Sequence, residues 1–338
     1  MRALATLVAL SSTLLAQPSV TVPKIFKDSY APSANLAPVA RTKVFMQTWY
    51  HGQNVPLGTI VTQMGWRYDS AAASGTGFAH TMEIVLDNTP ATFSTLSSTF
   101  TSNLSATPTT FLPLTTVNWP ASPSGGLDPA IWIPGNNPFF FTGPHLLVQV
   151  DVQTETTPRT LAGFNTDSYA GNSSLAQVGS PGCAASSLGV TNTANGANVD
   201  VAFTLTGGPP NSTAAFLLGA ENQTFLGANV LPLDLGFMGM VGCRLGVDPL
   251  ATFSLPTDGA GMATLQGPVP VIAGFAQMMF AQCAHAGNTP LGVVTTNVAG
   301  SEVGVGGLST YVYNWTIFNP VAQYGPYTSN RGAVVLLR

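Results

Sequence analysis

Charge is what this chain has least of. Its 338 residues include 10 Lys or Arg and 14 Asp or Glu, 7% of the whole, against about a quarter in ordinary globular proteins. The formal net charge is −4, and the cationic residues are scattered singly apart from Lys24, Lys27, Arg41 and Lys43. No basic stripe exists to neutralise phosphates, which excludes nucleic acid as a partner; the small N-terminal cluster reads as a solvated arm. Only 3 cysteines occur, too few for a chain of this length to be held by disulfides instead of a core. No apolar run reaches about 18 residues, so no membrane span is expected. The sequence also lacks Gly-x-Ser-x-Gly, His-Glu-x-x-His, Cys-x-x-Cys and any phosphate-cradling glycine loop ahead of a Lys. His51, His80, His145 and His285 are far apart and show no metal-ligand spacing, and no dense acidic loop points to calcium. Neither a metal nor a cofactor is expected.

What is present begins with an export signal. Met1-Arg2, the apolar run 3–10 and Leu14-Leu15-Ala16 form a short charged start and apolar core, giving a signal peptide over 1–16. Its loss makes the mature chain one unit more negative. Beyond it, period-two alternation dominates. Met82, Ile84 and Leu86 point one way and Thr81, Glu83 and Asp87 the other, the pattern of a half-buried antiparallel strand with Glu83 and Asp87 wetting its outer face. Further strands are expected at 43–49, 59–68, 145–152, 199–205, 214–218, 261–266, 310–318 and 332–337. They are punctuated by turns such as Asp258-Gly259 and Gly207-Gly208-Pro209-Pro210. With 35 Gly and 26 Pro spread throughout, interior helices have little room. The expected fold is all-β: two antiparallel β-sandwiches, jelly-roll or immunoglobulin-like, in tandem after the signal peptide. Their expected bounds are an N-terminal arm over 17–40, a first sandwich over 41–160, a linker over 161–179 and a second sandwich over 180–338.

Six landmarks run in order through the second half: Gly179-Ser180-Pro181-Gly182-Cys183, Ala214-Ala215-Phe216-Leu217-Leu218-Gly219, Leu231-Pro232-Leu233-Asp234-Leu235, Gly242-Cys243-Arg244-Leu245, Thr257-Asp258-Gly259-Ala260-Gly261 and Tyr327-Thr328-Ser329-Asn330. In these the second half resembles a β-sandwich-like domain carried by many secreted proteins of planctomycetes and related bacteria. Val61 to Asp69, Thr99 to Asn103, and Asn137-Pro138-Phe139 with Leu146 to Val150 give the first half a looser similarity to the β module that often precedes it. The resemblance implies architecture and no catalytic activity. It implies a disulfide between Cys183 and Cys243, export permitting oxidation, with Cys283 left as a buried thiol. It also implies that 332–337 is an interior closing strand of the second domain, which makes 284–310 an insertion. Asp234, the only charge between Glu221 and Arg244, lacks a partner for acid–base work and reads as a structural carboxylate.

Three functions compete. Export, strand content and scarce charge favour a non-catalytic secreted or cell-surface protein with a structural or adhesive role, whose partners are extracellular glycans or other surface proteins. The alternative is a carbohydrate-binding module using Trp49, Tyr50, Trp66, Trp119 and Trp132, because tryptophan offers a large apolar face and one N–H donor, a combination equally suited to a sandwich core. Trp119 and Trp132 flank a Gly/Pro-rich loop at 122–129 where such a platform fits. A secreted hydrolase with dispersed residues, among them Asp128, His145, Asp151 and Glu155, is the remaining possibility.

Overall fold

In the strand Phe78–Thr89, Met82, Ile84 and Leu86 all turn into one core, as a repeat of two requires. The same rule builds the rest of the computed structural model. It describes residues 19–31, 33–35, 43–68, 77–121, 126–129, 131–155, 166–171, 175–179, 181–228, 230–272, 277–304, 309–315, 319–327 and 330–338. The expected signal peptide and Arg41 lie outside the described residues. Every named strand pair is antiparallel, and the fold is all-β.

A first sandwich faces a five-stranded sheet onto a four-stranded one. The former runs in the order Ser309–Asn314, Val44–Tyr50, His145–Glu155, Phe78–Thr89, Thr109–Trp119, the latter Val20–Val22, Val335–Leu337, Ile60–Trp66, Ile133–Phe140. Val44, Met46, Ile84 and Val150 from one sheet meet Val61, Met64, Ile133 and Leu337 from the other, each large apolar side chain stabilising by about 1.5–3 kcal/mol. In the second sandwich a five-stranded sheet (Leu175–Val178, Val293–Val303, Gln277–Ala286, Thr213–Gly219, Ala251–Pro256) covers a three-stranded one (Ser187–Asn195, Asn198–Thr206, Ala263–Pro270). Leu188, Val201 and Phe203 pack there against Phe216, Ala281 and Ala299.

The chain path corrects the expected bounds. After residue 303 the chain returns to the first sandwich: Ser309–Asn314 pairs with Val44–Tyr50, and Val335–Leu337 lies between Val20–Val22 and Ile60–Trp66. The closing strand is therefore interior, but it belongs to the first sandwich, and the second sandwich is an excursion within it. Nor is 284–310 an insertion, since Val293–Val303 sits in the second sheet between Gln277–Ala286 and Leu175–Val178. The region expected as a linker carries Leu175–Val178 and Thr166–Gly171, the latter pairing with Ser33–Asn35 and Asn330–Ala333.

The N-terminal segment is likewise no solvated arm. Val20, Val22, Ile25 and Phe26 are too apolar to stay in water, and Ile25 and Phe26 fill a cluster with Val247, Met278, Phe280 and Val298 of the second sandwich. Lys24 follows them inside, is 2% exposed, and pairs with Glu221 at 2.5 Å. Its pKa is lowered by burial, against the raising effect of Glu221. Lys27 donates to the carbonyls of Asn222 and Leu231, both at 2.7 Å, and burial brings its pKa down to about 8. Arg67, fully buried, donates to the carbonyls of Phe26, Ser29 and Leu127. A buried cation needs that density of acceptors to offset its lost hydration, and two of these three, the Phe26 and Ser29 carbonyls, belong to the segment it holds in place.

Cys183 and Cys243 form a disulfide. Cys283 is buried and free, its thiol pushed up to about 12 by desolvation. Asp234 accepts from the Gly236 N–H at 2.7 Å, a turn-forming role. Asp87 keeps its expected outer face, opposite Leu147, but does not wet it: it is 1% exposed and accepts from the N–H and hydroxyl of Ser105. The covering segment between strands, with Ala91, Leu96 and Phe100, packs over that face of the sheet.

Candidate functional site

Most of the expected aromatic platform is core. Trp49, Tyr50, Trp66 and Trp119 are 1%, 1%, 2% and 2% exposed, so none offers a ring face to solvent. Trp49 Nε1 donates to the Ala91 carbonyl and the Tyr50 hydroxyl to that of Ala333, while Trp119 stacks on Phe78 at 5.9 Å. The physical reason is parity: Tyr50, Trp66 and Trp119 occupy inward positions of their strands, and Trp49, on the opposite face, lies under the covering segment. Trp132 alone of this set is half-buried, with the Arg338 guanidinium 5.9 Å from its ring. Of the loop expected at 122–129, residues 122–125 lie outside the described residues.

A different aromatic group forms at the edge of the five-stranded sheet. Tyr311 and Tyr313 alternate along the edge strand Ser309–Asn314, and Trp315 continues their spacing. The segment 319–327 folds back along it: the Tyr313 and Tyr324 backbones exchange two hydrogen bonds of 3.1 Å, and the Tyr327 carbonyl accepts from the Thr310 hydroxyl. Tyr313 and Tyr324 stack at 4.8 Å with 17° between planes, Trp315 meets Tyr313 edge-on at 4.5 Å, and Tyr327 meets Tyr311 at 5.2 Å. Tyr311 is buried and anchors the group to the core, Tyr313, Trp315 and Tyr327 are half-buried, and Tyr324 is 38% exposed. Each such ring contact contributes about 0.5–1.5 kcal/mol beyond burial, so the rings are fixed before any ligand arrives. Desolvation, then the hydrogen bond with Tyr327 and the neighbouring phenols, holds the Tyr313 hydroxyl above the usual phenol range. It stays a neutral donor. Residues 309–327 contain no Asp, Glu, Lys or Arg and do contain Asn314, Asn319 and Gln323.

A cleft of about 710 Å³ lies between the sandwiches, with apolar walls from Val55, Leu57, Phe141 and Pro144 and with Glu221 on its far side. His51 and His145 stand nearby with rings 5.1 Å apart. Both Nδ1 atoms accept backbone N–H bonds of 3.2 Å, from Gln53 and Gly52. This fixes the proton of each neutral ring on Nε2, leaving no lone pair there for a metal. Burial, then His145 and Lys24, brings His51 down to about 4, and burial lowers His145.

The dispersed acid–base candidates remain dispersed. His145 and Asp151 are six positions apart on one strand, roughly 20 Å at the rise of a strand. Asp128 lies in a loop elsewhere, and Glu155 pairs in register with His80. Asp151 instead faces Glu83 across the sheet. Burial raises both carboxyls, Asp151 adds to the rise at Glu83, and the Gln153 hydrogen bond opposes it at Asp151. Among the described residues no three His, Cys, Asp or Glu side chains gather as a metal-binding group, and no helix is long and apolar enough to cross a membrane.

Sequence reasoning missed the edge group because it weighed only Trp49, Tyr50, Trp66, Trp119 and Trp132, all in the first half. The signal was there in the alternation Tyr311, Tyr313, Trp315. The chain matches no protein-family model and no curated protein.

Proposed function

We propose that the protein is exported and serves as an adhesive extracellular β protein that holds a neutral glycan on the Tyr313, Trp315 and Tyr324 rings. The carrying observation is that fixed aromatic group at a sheet edge, partly exposed, in a segment without charge. Sugar rings present flat C–H faces that pack on aromatic rings, while their hydroxyls seek amide and phenol partners. Uronates and sulfated sugars would need cations that residues 309–327 do not contain. Export rests on the N-terminal charged-and-apolar pattern and on the Cys183–Cys243 disulfide, a bond typical of oxidising compartments. The purely structural reading stands if the edge group binds nothing.

The test is retention on insoluble cellulose, xylan, mannan and β-1,3-glucan, for the wild type and for Trp315→Ala and Tyr324→Ala. Burying about 60 Å² of ring face corresponds to about 1.5 kcal/mol, so each variant should lose about tenfold in affinity while staying folded, its melting temperature lowered only by the ring contacts removed. Absence of retention on every glycan would refute the proposal.

A further inference from the structure

In the second sandwich, beside the Cys183–Cys243 disulfide, two polar side chains meet inside a groove. Ser186, immediately before the strand Ser187–Asn195, and His285, near the end of Gln277–Ala286, lie 99 residues apart in sequence, with Oγ and Nε2 separated by 2.6 Å. His285 Nδ1 is 2.8 Å from the Ala286 carbonyl. A carbonyl oxygen only accepts, so Nδ1 carries the proton, and in the neutral ring Nε2 is left to accept from the Ser186 hydroxyl. This is the arrangement an activated hydroxyl needs: nucleophile on base, and base oriented by a third group.

The pair is also held in place. Three residues before Ser186, Cys183 is tied to Cys243, and its Sγ accepts from the Thr295 N–H at 3.2 Å. Two residues after it, the Asn297 side chain bonds both the N–H and the carbonyl of Leu188 at 2.8 Å. Gly207, with φ of +72°, lies against the serine, where a Cβ would come within 3.7 Å of the Ser186 Cα. Ser186 and His285 both line a groove of about 440 Å³, together with Ala184, Gly207, Pro209, Val241 and Val294. The groove lining includes no charged side chain, which suits a small neutral acyl group.

We propose that Ser186 and His285 form an acyl-transfer pair acting on short-chain esters. The Ser186 oxygen attacks the ester carbonyl carbon as its proton passes to His285 Nε2. The carbon–oxygen bond to the alcohol then breaks, and that proton goes to the departing oxygen. Water, deprotonated by the same nitrogen, attacks the acyl-serine and restores the hydroxyl, so one ester and one water give one acid and one alcohol. The inference is independent of the glycan reading and departs from the expectation of a non-enzyme. A sequence search for a nucleophile elbow misses the serine, because Ser186 stands in Ala184-Ala185-Ser186-Ser187-Leu188 with neither flanking glycine.

The experiment treats the full mature protein with a fluorophosphonate and, separately, with p-nitrophenyl acetate, and maps the adducts by peptide mass spectrometry. Ser187 is the internal control: it is exposed, and its hydroxyl faces Thr206 instead of an imidazole. A base-assisted hydroxyl should outpace it by about 100-fold or more. Labelling of Ser186 at that excess, with a comparable loss in a folded His285→Gln variant, is the expected result. No adduct on Ser186, or equal rates at Ser186 and Ser187, would overturn the proposal without recourse to any variant. Undiminished labelling of Ser186 in the folded His285→Gln protein would overturn the role of the base.

Discussion

Acidification tests the packing around His51. The unfolded imidazole takes a proton near pH 6.5, whereas in the folded chain burial, His145 and Lys24 bring that pKa down to about 4. Between those values the unfolded state binds more protons, so the stability tied to neutral His51 is complete above pH 6.5 and is lost as pH falls through 4. Linkage over that interval gives about 3 kcal/mol at pH 4. Discounting for the part of the ring that solvent reaches leaves about 2 kcal/mol. His145 acts in the same direction, and the raised carboxyls of Glu83 and Asp151 act in the opposite one. The clean perturbation is therefore His51→Asn. It keeps a side-chain acceptor for the Gln53 N–H at the start of the 3-10 turn Gly52–Asn54, where Asn is a favoured cap, and it removes the titration. Denaturant unfolding at pH 7 and pH 4 should show the wild type losing about 2 kcal/mol more than the variant. Parallel losses in the two proteins would refute the reasoning.

Three further outcomes follow from the fold. Cys243→Ser opens a link spanning 60 residues and should cost about 4 kcal/mol in the chain-entropy account, read by urea unfolding of the oxidised wild type against the variant; a change below about 1 kcal/mol would contradict it. Arg67→Met strands the carbonyls of Phe26, Ser29 and Leu127 and should destabilise by about 3 kcal/mol, with faster amide exchange in 19–31 as its local signature. Removing residues 335–338 deletes the strand between Val20–Val22 and Ile60–Trp66 and should abolish folded protein, which circular dichroism and melting would report.

Strands that wet one face were readable, because their side chains alternate; 199–205 and 214–218 were expected within a residue of Asn198–Thr206 and Thr213–Gly219. Val293–Val303 was hidden by the opposite circumstance. It is buried along nearly its whole length, and a strand covered on both faces loses its alternation. The N-terminal segment misled through its lysines, since sequence shows charge but not the acceptors that Glu221, Asn222 and Leu231 supply from about two hundred residues away. Return of the chain to the first sandwich is equally non-local. The apolar run 333–337 marks a strand covered on both faces but does not name its neighbours, and so the core could be anticipated more fully than the topology. Among the aromatics, Trp49 and Trp119 carry the same sequence signal whether they pack inward or face a sugar, and strand parity together with a covering segment decides between the two.

The central claim is a neutral glycan held by rings, with no ion pairing. Binding to whichever neutral polysaccharide retains the protein should therefore be measured in 0.05 M and in about 1 M NaCl, where the screening length falls to about 3 Å, for the wild type and for the Trp315→Ala/Tyr324→Ala double variant. The account predicts an affinity unchanged by salt in the wild type and lost by about 100-fold in the folded double variant. Binding that collapses in salt, or that survives removal of both rings, would contradict it.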